Sequence, residues 1–82
     1  MNIFVANLNF KTTPETLEQA FREYGEVTSV KIVTDRQTGR SKGYGFVEIA
    51  SAEDGAKAIA GMNGALLDDR ELVVKPANSN AG

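Results

Sequence analysis

The octapeptide KGYGFVEI, Lys42 to Ile49, limits the possible folds of this chain more than any other stretch. Its strict alternation requires an extended strand that presents one set of side chains on each face. Gly43, Gly45, Val47 and Ile49 share one face; Lys42, Tyr44, Phe46 and Glu48 share the other. The small and aliphatic set suits a surface packed against helices. The second set then faces water, with two aromatic rings between a lysine and a glutamate. Such a strand needs a sheet covered on one side and bare on the other.

The remaining segments predict such a sheet. Ile3-Phe4-Val5-Ala6-Asn7-Leu8 is rich in β-branched and aromatic residues and runs into the turn-prone Asn7 to Asn9 region. In TPETLEQAFREYG, Thr13 is a suitable helix N-cap, Pro14 a first helical residue, and Glu15 complements the positive helix end. Leu17, Ala20, Phe21 and Tyr24 recur at helical spacing as a core face, and Gly25 is placed to end the helix. VTSVKIVTD sets Val30 and Ile32 on one face, and Ser29, Lys31 and Val33 on the other. Asp35 to Ser41 forms a polar loop around Gly39.

After the octapeptide, SAEDGAKAIAGMNG starts with Ser51 as N-cap and Asp54 three residues on, a weak capping box. Ala56, Ile59 and Ala60 are expected to face inward, and Asn63-Gly64 to stop the helix. Leu66 to Arg70 is expected to be a connection and Glu71 to Lys75 the last strand, with Leu72 and Val74 facing opposite to Val73 and Lys75. Pro76 closes it, and the end reads as a flexible tail.

The order β-α-β-β-α-β with right-handed crossovers predicts an α+β, ferredoxin-like fold. Two helices cover one face of a four-stranded antiparallel sheet. One domain over residues 2–77 and a tail over 78–82 are expected. With Ile3 and Val5 turned inward, Phe4 points outward and joins Tyr44 and Phe46, because the first and third strands are central neighbours in this topology.

Composition removes several function classes. The 82 residues contain no cysteine and no histidine, which excludes disulfides, most zinc sites, thiolate chemistry and histidine-based triads. Asp68-Asp69 and Glu53-Asp54 are adjacent acids that do not converge on a site, and Gly43-x-Gly45 lies within a strand and opens no helix. Close helix-on-sheet packing is the expected reason for those glycines. No catalysis and no cofactor are expected. No apolar run spans a bilayer and no leader precedes the first strand, so a reducing cytoplasm, away from membranes, is expected; the chain is expected to be a monomer.

An exposed aromatic cluster marks a contact surface. One reading is a protein-interaction face, on the open sheet or on the helix backs. The other is a stacking surface for the bases of a single strand. The formal charge of −2 gives no overall basic excess, but Lys31, Arg36, Arg40 and Lys42 face one acid, Asp35, between Lys31 and Gly43. A cationic rim beside flat rings favours the second reading, with single-stranded RNA as partner and single-stranded DNA as the related alternative.

KGYGFVEI resembles the octamer ribonucleoprotein motif of the RNA recognition motif family, and IFVANL resembles its hexamer motif. The resemblance runs from Asn2 to about Ala77 and is closest to the small stand-alone members, bacterial or glycine-rich in type. It implies that Phe4, Tyr44 and Phe46 stack on bases and that Lys42 contacts phosphate. Asn7, Lys31, Val33, Val73, Lys75 and the segment Pro76 to Asn78 would line the path of the strand, with Arg40 as a further phosphate contact. Two departures stand out. Ile49 replaces the usual terminal aromatic, on the face expected to pack, and Glu48 places an acid on the binding face, implying modest affinity.

Overall fold

The computed structural model describes residues 1–77; the expected tail, and Asn78 on the expected strand path, lie outside them. The elements run β1 (Asn2–Ala6), α1 (Pro14–Arg22), β2 (Val27–Thr34), β3 (Ser41–Ile49), α2 (Ala52–Met62), β4 (Leu66–Leu67), β5 (Arg70–Glu71) and β6 (Val73–Pro76). Four strands form one antiparallel sheet in the order β2-β3-β1-β6. The ferredoxin-like expectation holds, with β1 and β3 central.

Both helices begin where predicted. The Thr16 backbone N–H donates to Thr13 Oγ1 at 3.2 Å, and the Asp54 N–H donates to Ser51 Oγ at 3.3 Å. Such caps satisfy backbone donors that the first helical turn leaves unpaired. Ile3, Val5, Val47, Ile49, Leu72 and Val74 from the sheet meet Leu17, Phe21, Ala58 and Met62 from the helices in one buried cluster. Ile49 therefore serves packing, as its phase predicted.

Four details differ from the sequence expectations. Ala56 and Ala60 are exposed; the inner face of α2 is Gly55, Ala58 and Met62, with Ile59 partly buried. Alanine fits either face of a helix, and buried Gly55 packs closely on Met1. A Cβ there would stand 3.0 Å from that of Met1. Gly25 lies outside the left-handed region, and a Cβ on it would sit 2.6 Å from the Asp54 Cβ. It permits a close approach to α2 instead of reversing the helix end.

The third difference is that the expected connection, Leu66 to Arg70, folds with Glu71 into a hairpin of β4 and β5, so the last strand starts at Val73 and not at Glu71. Asp68 (φ 51°) and Asp69 (φ 69°) occupy its two turn positions, the left-handed pair that suits a tight hairpin. The fourth concerns the glycines of β3. Gly43 is left-handed (φ 87°), and the pairing of β2 with β3 shifts register between Ile32 and Thr34, so the glycine forms a bulge. A Cβ on Gly45 would stand 2.9 Å from the Ile32 Cα and would meet the Lys31 carbonyl oxygen. These two glycines answer to turn geometry and to the neighbouring strand, and not to the helices.

Candidate nucleic-acid interface

The sheet face opposite the helices carries the three predicted rings. Phe4 pairs with Phe46 across β1 and β3, and Ala6 pairs with Tyr44. The Phe4 ring centroid lies 5.8 Å from that of Tyr44 and 5.7 Å from that of Phe46, with tilts of 42° and 57°. These tilted contacts are within the favourable range for aromatic pairs. All three rings are only half-buried, whereas Ile3, Val5 and Val47 beside them are fully enclosed. The phase inferred from alternation holds for Phe4, Tyr44 and Phe46.

Register aligns one row across all four strands: Lys31 opposite Phe46, Phe46 opposite Phe4, and Phe4 opposite Lys75. Two rings therefore lie between two exposed lysines. Small Ala6, between Tyr44 and Val73, leaves the neighbouring row low. Val33 is half-buried and Val73 is 42% exposed. Glu48 is exposed at the far end of β3, where the Thr28 hydroxyl approaches its carboxylate at 3.3 Å.

Lys42 comes before the left-handed Gly43, so simple alternation does not fix its direction. It nonetheless borders a shallow concavity of about 390 Å³ with Phe4, Asn7, Phe10, Tyr44 and Arg70. Arg40 lies on the β2–β3 loop, away from that lining. The loop is braced from within. Asp35 Oδ1 accepts from the Gln37 N–H at 2.7 Å and the Thr38 N–H at 3.1 Å. The Gln37 bond and then the Thr38 bond hold the Asp35 carboxyl below the usual carboxylate range, with a smaller contribution from the Lys42 charge.

Asn7 has a structural task. Its Nδ2 donates to the Glu71 carbonyl at 2.7 Å, and its Oδ1 accepts from Arg70 Nη2. Asn9 Nδ2 donates to the Asp68 carbonyl at 2.9 Å, and the Thr12 hydroxyl donates to Asp68 Oδ2 at 2.7 Å. The β1–α1 loop and the β4–β5 hairpin are thus tied together. Sequence reasoning missed Phe10 and Arg70, both brought to the concavity by these ties. The only available signal was an aromatic in a polar loop, FKTTP, which has no periodicity.

The RNA recognition motif model matches residues 3–73. The chain belongs to that family. It is 55% identical over 67 residues to the Organelle RRM domain-containing protein 2, mitochondrial, of Arabidopsis thaliana, covering 82% of this chain and 43% of that protein. It is 49% identical over 76 residues to Glycine-rich RNA-binding protein 2 of Sorghum bicolor, covering 93% of this chain and 45% of that protein. The chain thus spans less than half the length of these two relatives. Among solved structures, that of RNA Binding Protein PG1 matches with a TM-score of 0.94 and 41% identity, over 100% of this chain and 99% of that one. The RNA recognition motif is a non-catalytic family, in line with the expectation that the chain is no enzyme.

Proposed function

We propose that residues 2–77 bind single-stranded RNA by stacking bases on Phe4, Tyr44 and Phe46. The observation that carries this reading is the row Lys31–Phe46–Phe4–Lys75, in which exposed lysines flank half-buried rings on the uncovered sheet face. Stacking on an aromatic side chain contributes about 1–3 kcal/mol per base, whatever the base. Lys31, Lys42, Lys75 and Arg40 meet phosphates, and Asn7, Val33 and Val73 border the path. Affinity is modest, because phosphate contacts are few and Glu48 stands on the same face.

A monomer suffices for this surface, since every residue named comes from one chain. Single-stranded DNA offers the same base faces, and no residue here is assigned to a 2′-hydroxyl, so it is the related ligand of the same site. The cytoplasm is the location proposed. The mitochondrial name of the Arabidopsis relative is the competing location, and imaging of a tagged chain decides between them.

The test is an amide-shift titration with a short homopolymer RNA. Shifts concentrated on β1 and β3 support the reading. Shifts confined to α1 and α2, or none at saturating RNA, refute it and favour a protein partner.

A further inference from the structure

The geometry points to a guanine subsite at the Tyr44 end of the open face, in the concavity between Tyr44, Phe10 and Arg70. This inference rests on the RNA-binding reading and adds to it a base preference. Phe10 is 73% exposed, an unusual position for a phenylalanine. Its loop is nevertheless well tied. The Lys11 N–H donates to Asn9 Oδ1 at 2.9 Å, the Thr12 N–H donates to the Asn9 carbonyl at 3.0 Å, and Thr12 is buried beneath. A ring held in water by a braced loop is a preformed wall.

The hydrogen-bonding character of the concavity selects the ligand. Its lining includes Arg70 and Lys42 and no carboxylate. The Asn7 amide is engaged by Glu71 and Arg70. Arg70 makes that one hydrogen bond among the described residues, which leaves most of its five guanidinium N–H donors available. The site therefore offers donors, in a fork whose direction Asn7 fixes. On the edge that carries N7 in a purine, guanine alone places two adjacent acceptors, O6 and N7; cytosine sets O2 beside N3 on its pairing edge, but its single ring covers less of Phe10 and Tyr44. Adenine sets a donor beside N7, and the pyrimidines offer one acceptor or a donor there. In an unpaired strand that edge is open to a side chain, and about 390 Å³ accommodates one base.

Titration of the whole chain with short oligouridine, and with the same oligomer carrying one central guanosine or one central cytidine, tests this; a cytidine oligomer that binds as tightly as the guanosine one overturns the assignment to guanine. The expected result is tighter binding of the guanosine oligomer by roughly fivefold or more, as for one bidentate contact. Inosine keeps O6 and N7 and should preserve the ratio; 7-deazaguanosine lacks N7 and should bring it towards one. Arg70→Lys retains the charge and loses the fork, so the ratio should collapse there too. A ratio near one in the unaltered protein, with oligouridine still bound, overturns the guanine subsite and leaves stacking intact. Equal binding of guanosine and 7-deazaguanosine overturns it as well, whether or not the Arg70 variant folds. If neither RNA binds, the stacking reading itself fails, and the subsite with it.

Discussion

Tyr44 and Phe46 flank buried Gly45, and Val47 beside Phe46 is buried too, so neighbouring residues test opposite faces. Replacing both with alanine should weaken RNA binding by roughly 2–6 kcal/mol if each ring stacks one base. Thermal stability should fall by much less than the roughly 3–5 kcal/mol expected of each aromatic lost from a packed core. Val47→Ala is the reciprocal change. Its side chain is fully enclosed, so it should cost about 1.5–3 kcal/mol of stability. Melting and RNA titration of the two variants compare these outcomes. Unfolding of the ring variant with tolerance of Val47→Ala would mean that the faces are reversed. Gly45→Ala is expected to be destabilising by about 1–3 kcal/mol, because the added carbon meets the β2 backbone. At this scale the octapeptide was legible because period-two alternation converts residue identity directly into face. The glycine roles were not legible, since they depend on which backbone lies alongside, a fact the chain states only once folded.

At the scale of elements, caps and strands could be read in advance because their signals are local: Thr13 before Pro14, Ser51 before an alanine-rich run. The rotation of α2 could not, since alanines at positions 56 and 60 read equally well inward or outward. The β4–β5 hairpin was hidden for another reason. Its turn is built from two left-handed aspartates, and its hold on the β1–α1 loop comes from partners more than fifty positions away. Thr12→Val keeps the shape of the buried side chain and removes its hydroxyl bond to Asp68. It should cost about 1 kcal/mol, read from a melting curve. The β2–β3 loop yields a pH dependence. Because the Asp35 carboxyl is held below its ordinary value of 3.8, its contribution is complete above that value. It is lost as pH falls through the lowered one. The stability gap between the parent chain and Asp35→Ala should thus be constant near neutrality and should close under strong acid.

For the molecule as a whole, an acidic chain with a local cationic row should bind RNA with shallow salt dependence. About three phosphate contacts predict a slope near −2 for log K against log salt on a single strand. A slope steeper than about −4 would indicate a further basic surface. An unpaired oligomer should outcompete a hairpin stem of similar length, because only unstacked bases reach the rings. Topology adds a constraint on when this surface comes into being. β1 lies between β3 and β6, so the first of the four sheet strands in chain order is among the last to find both neighbours. Phe4 waits for Phe46 and then for Lys75. The row proposed to hold RNA is therefore complete only once β6 has paired and brought Lys75 beside Phe4. A chain that stops short of Val73 should lose its sharp melt and its RNA together.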